Sequence, residues 1–231
     1  MGIPESLRIA LRPVTLVIGH YGVGKTNFSV NLAIDLAEEG NDVTLIDLDI
    51  VNPYFRASEQ RRVLEEHGVT LVAPVFAEAG SSLDVPSLTG KIAPSIEMAR
   101  EGRYVILDVG GDDAGSVAVG RYACFVKQHD YAMLCVLNKY RNLVQDPPDA
   151  VENLREIETA SRLEATAFVS NAHLKGETTA EVIEQGRAYA LEVAELAGLP
   201  LVATCVSPAL TEMSQIDGGY PVKMYVRSPW E

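Results

Sequence analysis

Gly19-His20-Tyr21-Gly22-Val23-Gly24-Lys25-Thr26 is the stretch that decides the fold, because it matches the pattern G-x-x-x-x-G-K-[ST] at every fixed position. The apolar run Val14–Ile18 in front of it predicts a buried strand, and residues 27–39 behind it predict a helix. In this order, the backbone N–H groups of the glycine-rich loop and of the first helical turn point toward one bound anion. The positive end of the helix dipole points toward the same anion. The stretch therefore predicts a phosphate-binding loop, and its flanks argue against a glycine-rich turn that matches by chance.

The positions of this loop have predicted roles in binding a nucleotide. We expect the Lys25 ammonium group to reach the β- and γ-phosphates and the Thr26 hydroxyl group to hold Mg²⁺. The loop backbone would surround the phosphates, which gives this set of candidate nucleotide contacts: Gly19, His20, Tyr21, Gly22, Val23, Gly24, Lys25, Thr26 and Asn27.

The composition is that of a folded, acidic chain. Its 231 residues are 47% hydrophobic, which is enough to bury a sizeable core. The 19 basic and 32 acidic residues give a net charge of −13, so nucleic acid is not an expected partner. No apolar run reaches the length of a membrane span, and residues 1–12 lack the apolar core of a signal peptide. We therefore expect a cytoplasmic protein with no membrane partner.

Apolar runs and helical patterns alternate along the chain. Seven runs predict strands, at residues 14–18, 42–48, 71–75, 104–108, 132–137, 165–170 and 201–206. Because helices separate these runs and the runs are almost continuously apolar, they predict a parallel sheet covered on both faces. The predicted fold class is α/β, a three-layer doubly wound sandwich with a mostly parallel sheet of about seven strands, the P-loop NTPase fold. We expect one nucleotide-binding domain over residues 1–231, with an N-terminal tail at 1–12 and a C-terminal extension at 209–231.

Finer signals predict where some elements begin and end. Pro74 indicates that the third strand lies at an edge of the sheet or stops there. Asp149 with Glu152 predicts the cap of one helix, and Thr178 with Glu181 predicts the capping box of the last long helix.

Two predicted strands end in carboxylates. Asp108 closes the strand at 104–108 and is followed by Val109-Gly110-Gly111, while Asp47 and Asp49 close the strand at 42–48. Strand ends of an open parallel sheet face the ligand crevice. We expect Asp108 and Asp47 to contribute to the Mg²⁺ shell, Asp49 or Asp47 to position an attacking water, and Gly111 to contact the γ-phosphate. Ordinary solvated acids at strand ends are the alternative.

Taken together, these motifs resemble the MinD/ParA/nitrogenase-iron-protein class of P-loop ATPases over roughly residues 14–208. More narrowly, the segments from Asp47 to Arg56 and from Asp108 to Gly115 are similar to a group labelled as the nucleotide-binding domain of cobyrinic acid a,c-diamide synthase. The resemblance implies that the protein binds ATP or ADP together with Mg²⁺. It also implies that a homodimer is one of the assemblies to expect.

The chain departs from the resembled class in two places. The class carries a signature lysine early in the loop that reaches the partner subunit's phosphates, and the matching residue here is His20, which is shorter and at most partly charged near neutral pH. After Val206, moreover, too few residues follow to form the glutaminase domain of a complete cobyrinic acid a,c-diamide synthase.

The predicted base is adenine. Asn138-Lys139-Tyr140-Arg141 invites comparison with the guanine-reading N-K-x-D motif, but Arg141 cannot accept hydrogen bonds as that acid does. Asn171 matches the asparagine that reads adenine in the resembled class, and an amide can donate to N7 while it accepts from N6. The resemblance also implies that Ser207-Pro208 contacts the base or the ribose.

Three functions fit these residues. The first is an Mg²⁺-dependent, slow ATPase that acts as a nucleotide switch or a metallochaperone-like accessory factor with an unknown protein partner. It would be slow because no arginine is convincingly placed to assist in cis, with Arg56 and Arg121 candidates only through their proximity to switch-like segments. The second is an ATP-dependent small-molecule synthetase or kinase, with a pocket formed by residues 78–90 and Asp112-Asp113. The third is a non-catalytic nucleotide-binding interaction module.

Overall fold

The computed structural model describes residues 2–49, 60–73, 90–111, 113–174, 177–210 and 216–226. Within them the strands are β1 Val14–Ile18, β2 Asp42–Asp47, β3 Thr70–Val72, β4 Arg103–Asp108, β5 Tyr131–Leu137, β6 Ala167–Ser170, β7 Leu201–Val206 and β8 Gly219–Pro221. The helices are α1 Glu5–Ala10, α2 Lys25–Glu38, α3 Arg61–Glu66, α4 Ile92–Glu97, α5 Asp113–Gly120, α6 Ala123–Val126, α7 Pro147–Ser161 and α8 Ala180–Ala197.

The eight strands form one sheet in the order β3-β2-β4-β1-β5-β6-β7-β8. Every neighbouring pair is parallel, so all the strands end at the same edge. Leu16, Val17 and Ile18 of the central strand are almost completely buried, as expected for a strand covered on both faces. The α/β fold predicted from the sequence is confirmed, and β3 lies at the edge that Pro74 predicted.

Helices cover both faces of the sheet and give two large apolar clusters. On one face α4 to α8 pack against the sheet through residues such as Ile96, Leu154 and Val193. On the other face α1, α2 and α3 contribute Leu7, Phe28 and Leu64. The three-layer arrangement follows from these two clusters.

The structure corrects several predicted boundaries. The segment expected as an N-terminal tail contains α1, and the expected C-terminal extension supplies an eighth strand, which pairs with β7. Asp149 lies inside the first turn of α7, whose N-cap residue is Asp146. Thr179, and not Thr178, caps α8, since its hydroxyl oxygen accepts a hydrogen bond from the Val182 N–H group. The sequence pattern did not predict α5 or α6.

The chain after β8 is held against α2. The Asn31 amide oxygen accepts from the Lys223 N–H group at 2.8 Å, and its amide nitrogen donates to the Lys223 carbonyl oxygen at 2.9 Å. The Asn27 amide oxygen accepts from the Tyr225 N–H group at 2.9 Å. Residues 222–226 therefore lie along the helix that begins at the phosphate-binding loop.

A buried hydroxyl–carboxylate pair joins β8 to α2. Tyr220 is completely buried, its ring lies edge-on to Phe28, and its hydroxyl group donates to Asp35 Oδ2 at 2.7 Å. Burial raises the pKa of Asp35, while the Tyr220 hydroxyl opposes that rise. The folded state therefore loses stability as the pH rises through the Asp35 pKa, and Tyr220 limits that loss.

Tyr220→Phe is expected to destabilise the protein by about 1–3 kcal/mol at pH 8, where Asp35 is ionised and loses a charge-assisted hydrogen bond. The loss should be smaller at pH 4, because a protonated Asp35 needs this donor less. Urea denaturation at both pH values measures the difference. Tyr122→Phe is the control, since the Tyr122 hydroxyl makes no hydrogen bond to the part of the chain that is described. Equal losses at both pH values would contradict the role given to the Tyr220 hydroxyl.

Candidate functional site

The phosphate-binding loop and the predicted carboxylates meet at the carboxyl edge of the sheet. The loop follows β1 at the centre, and β4 lies between β1 and β2. Asp47 and Asp108 end β2 and β4 and are direct partners in the register of those strands. The parallel strands and their order therefore bring these two acids together beside the loop, at the ligand edge that the sequence predicted.

Close backbone contacts shape the loop at its two ends. Gly19 and Gly24 have φ angles of +137° and +94°, in the region that favours glycine. A Cβ at Gly19 would overlap with the Val136 carbonyl oxygen of β5, and a Cβ at Gly24 would overlap with the Asn171 amide. Asn171 donates from Nδ2 to the Val23 carbonyl oxygen at 2.7 Å. The loop is thus fitted against the ends of β5 and β6.

Lys25 lies under the loop and is only 7% exposed. Its ammonium group donates to the His20 carbonyl oxygen at 3.0 Å. Gly111, from the segment after β4, packs directly on this arrangement, because a Cβ there would lie 2.5 Å from Lys25 Nζ and 2.7 Å from the Tyr21 nitrogen. A residue larger than glycine would have to displace the lysine or the loop backbone. Gly111 therefore contacts both the lysine and the loop.

Three buried carboxylates lie at or just after the ends of β2 and β4, and Asp108 is close enough to Lys25 for the lysine charge to lower its pKa. Asp47, Asp49 and Asp108 are 0%, 9% and 1% exposed. Asp47 Oδ1 accepts a hydrogen bond from the Asp49 N–H group at 3.0 Å, which fixes the two acids relative to each other. Burial and the neighbouring Asp47 raise the pKa of Asp108 to about 7, against the opposing effects of Thr26 and Lys25. Burial and the neighbouring acids therefore disfavour the ionised form of Asp108 in the folded protein.

The Asp108 carboxylate is incompletely satisfied by the protein. Oδ1 accepts a hydrogen bond from the Ser29 hydroxyl group at 3.1 Å. Oδ2 is buried and has no hydrogen-bond partner within the part of the chain that is described. A buried carboxylate oxygen without a partner is costly, and a cation would remove that cost. The donor set at this point, carboxylates with a hydroxyl group at Thr26, is the kind that Mg²⁺ prefers.

No group of three or more His, Cys, Asp and Glu side chains is arranged as a metal cage among the described residues. This result is compatible with the site above, because Mg²⁺ is usually held by one or two carboxylates together with substrate phosphates and water.

Other predicted residues lie around the loop in different ways. Asn27 lies in the first turn of α2, but its side chain bonds to Lys223, Tyr225 and Val226, so its backbone alone remains for a nucleotide. Ser207 and Pro208 follow β7, three strands along the sheet from β1, at the same edge. His20 is half-buried, with Nδ1 3.2 Å from the Tyr21 carbonyl oxygen. Arg56, Asp112 and residues 78–89 lie outside the described residues.

Sequence reasoning missed Ser29 and His173 in this region, and it did not predict that Arg141 contacts the loop. Ser29 bonds to Asp108, and its position four residues after Lys25 on one helix face was an available signal. His173 follows β6 and borders the loop, since its Nε2 lies 3.5 Å from a Cβ built at Gly24. Arg141 packs on the loop at Gly22. The last two contacts join distant parts of the chain, and no local pattern shows them.

A parallel α/β sheet with a G-x-x-x-x-G-K-T loop after its central strand β1 and carboxylates at the ends of β4 and β2 defines a P-loop nucleotide-binding domain. The family model described as the CobQ/CobB/MinD/ParA nucleotide-binding domain matches residues 14–194, and the chain belongs to this family. The resemblance inferred from the motifs is thus confirmed. No curated protein matches the chain.

Solved structures of other proteins share the fold. The signal recognition particle 54 kDa protein from Aeropyrum pernix K1, in complex with GDP, is 18% identical with a TM-score of 0.53, over 81% of this chain and 40% of that one. FtsY from Mycoplasma mycoides is 15% identical with a TM-score of 0.52, over 83% and 59%. Chloroplast FtsY from Physcomitrella patens is 17% identical with a TM-score of 0.52, over 82% and 56%. This chain therefore spans about half the length of these proteins, and at such identity the likeness shows the fold alone.

The described helices contain none that is both long enough and apolar enough to cross a bilayer.

Proposed function

We propose that the chain binds ATP together with Mg²⁺ and hydrolyses it slowly, acting as a nucleotide switch or a metallochaperone-like accessory factor for a protein partner. The observation that carries this proposal is the set of three buried carboxylates at or just after the ends of β2 and β4, with Asp108 Oδ2 lacking a partner among the described residues. Buried carboxylates repel a bound phosphate, so this arrangement is unfavourable in a nucleotide-binding site unless a metal cation binds between them.

Each residue would have a distinct part in this function. Lys25 would neutralise charge on the β- and γ-phosphates, exchanging its hydrogen bond to the His20 carbonyl for one to phosphate. Thr26, Asp47 and Asp108 would hold Mg²⁺, which would supply charge neutralisation on the phosphates. Asp49, which Asp47 fixes through its backbone, would orient the attacking water.

Adenine is supported over guanine by residue chemistry on this edge of the sheet. The turn after β5 ends in Arg141, which has no acceptor for the guanine ring N–H and amino groups. Asn171, after β6, lies beside the loop, and its amide oxygen could accept from the adenine amino group while Nδ2 holds Val23. The GDP in the Aeropyrum pernix structure belongs to a protein that shares only the fold with this chain.

Location and assembly are part of the same proposal. We expect the protein to act in the cytoplasm, with a homodimer among its states and without nucleic acid as a partner, given its net charge of −13.

Calorimetric titration with ATP, ADP and GTP, each with Mg²⁺ and with EDTA, tests the binding proposal. We expect ATP to bind more tightly than GTP, and more tightly with Mg²⁺ than with EDTA. Phosphate release from ATP alone would support the switch, and release only after a small carboxylic acid is added would support a synthetase instead. If ATP binds but no phosphate is released under any condition, the result would support a non-catalytic nucleotide-binding interaction module.

Asp49→Asn is expected to bind ATP with an affinity within about twofold of the wild type but to release phosphate at least about tenfold more slowly. The reason is that a neutral amide oxygen is a weaker hydrogen-bond acceptor for the attacking water than a carboxylate oxygen. Steady-state phosphate release and ATP titration measure the two effects separately. Asp42→Asn, at the beginning of β2 where Asp42 pairs with Arg103, is the control for a changed charge. Equal turnover of Asp49→Asn and the wild type would remove Asp49 from the mechanism.

A further inference from the structure

Arg141 lies directly against the phosphate-binding loop. A Cβ built at Gly22 would lie 3.6 Å from Arg141 Nε and 3.8 Å from Cδ and Cζ, so the guanidinium group packs on the loop at this glycine. Two other arginines are candidates from the sequence. Arg56 is outside the described residues, and Arg121 is exposed at the end of α5.

The turn that carries Arg141 is fixed to the sheet. Asn138 follows β5 and is 1% exposed. Its side-chain oxygen accepts from the Tyr140 N–H group at 3.1 Å, and its backbone carbonyl oxygen accepts from the Arg141 N–H group at 3.1 Å. Because β5 pairs with β1 up to Ile18, which immediately precedes the loop, the turn and the loop are supported by adjacent strands. The position of Arg141 beside Gly22 is therefore built into the fold.

Within the part of the chain that is described, the Arg141 guanidinium group lacks an anionic partner. Arg141 forms no ion pair with any described residue, and its Nε is buried without a hydrogen-bond partner. This is unexpected in a chain with 32 acidic and 19 basic residues, where a surface arginine readily finds a carboxylate. A buried guanidinium N–H group without a hydrogen-bond partner is costly, and an anion bound in the loop would satisfy it.

We propose that Arg141 contacts the phosphates of the bound nucleotide and supplies, from within the same chain, a second positive charge opposite Lys25. This rests on the proposed nucleotide binding. A planar guanidinium group with several N–H donors suits phosphate oxygens, and a fixed charge at this point would stabilise the charge that the phosphates carry. Arg141, which cannot accept hydrogen bonds from guanine, would thus donate hydrogen bonds to the phosphates of the nucleotide.

The test is titration of Arg141→Ala, Arg141→Lys and the wild type with MgATP, with Lys139→Ala as the control. Lys139→Ala removes the same charge from the same turn. We expect Arg141→Ala to weaken ATP binding about ten- to a hundredfold, as for a lost hydrogen bond to a charged group, and Arg141→Lys to recover part of the loss. Lys139→Ala should stay within about twofold, since charges that do not contact the ligand are screened.

The salt dependence of binding separates a phosphate contact from a merely structural role. Between 50 and 300 mM NaCl, the ATP affinity of Arg141→Ala should fall less steeply than that of the wild type, because one charge–charge contact is gone. Unchanged affinity, an equal loss in Lys139→Ala, or a loss in Arg141→Ala with an unchanged salt dependence would each overturn the assignment. A wild type that binds no nucleotide would instead refute the proposed function itself, so the two failures are distinguishable.

Discussion

Lys25→Ala is expected to lower the affinity for any nucleoside triphosphate at least about a hundredfold, which corresponds to about 3 kcal/mol. Lys25 is the cation at the centre of the site, it is 7% exposed, and its ammonium group is already directed to the loop backbone at His20. A buried charge that meets a phosphate away from bulk water contributes more than a surface charge would. The loss should therefore be of similar size for ATP and GTP, whatever base the protein prefers.

Calorimetric titration of Lys25→Ala measures this effect, and the thermal midpoint of the nucleotide-free variant shows whether the loop still folds. Lys127→Ala removes a lysine that is exposed at the end of α6 and serves as the matched control. We expect Lys127→Ala to bind as the wild type does. Unchanged affinity in a folded Lys25→Ala variant would contradict the assignment of residues 19–26 as a phosphate-binding loop.

The sequence predicted the sheet well where apolar runs are long. Val14–Ile18 and Leu201–Val206 have the predicted bounds, because continuous β-branched and apolar runs between turns have few other structures available. It failed for β8, which has only three residues and whose Tyr220 and Lys223 form hydrogen bonds with α2. Tertiary contacts of this kind leave no periodic pattern in a short segment.

The candidate site divides in the same way. The sequence predicted that Asp47 and Asp108 end their strands at the ligand edge of a parallel sheet. Their direct pairing also requires β2 and β4 to be neighbours, which the structure shows. The contact of Arg141 with Gly22 depends on the order of the strands and on the shape of a turn 119 positions further along the chain (141 − 22). A linear motif could show which bonds Arg141 cannot make with a base, but it could not show which loop the side chain touches.

Asp108→Asn is expected to stabilise the nucleotide-free protein at pH 8 while it abolishes the effect of Mg²⁺ on ATP binding. Burial and Asp47 raise the pKa of Asp108 to about 7, so its ionised form is disfavoured in the folded state. Its contribution to stability is fully present below the unfolded-state pKa and is lost as the pH rises through 7. Asparagine stays neutral and keeps an oxygen for the Ser29 hydroxyl, so it should avoid that loss.

The expected gain for Asp108→Asn at pH 8 in EDTA is about 2–4 kcal/mol, or roughly 5–10 °C in the thermal midpoint. It should nearly vanish at about pH 3.5, where the wild-type carboxyl group is largely protonated in the unfolded state as well as in the folded one. Thermal unfolding at the two pH values tests the sign, with Asp130→Asn as a control at an exposed aspartate. In the same variant, ATP affinity should be equal with Mg²⁺ and with EDTA. A variant that is less stable than the wild type at pH 8 would mean that the protein alone satisfies the Asp108 carboxylate. A more stable variant whose ATP affinity no longer depends on Mg²⁺ would show that the folded protein tolerates an unfavourable buried carboxylate because this carboxylate binds a cation.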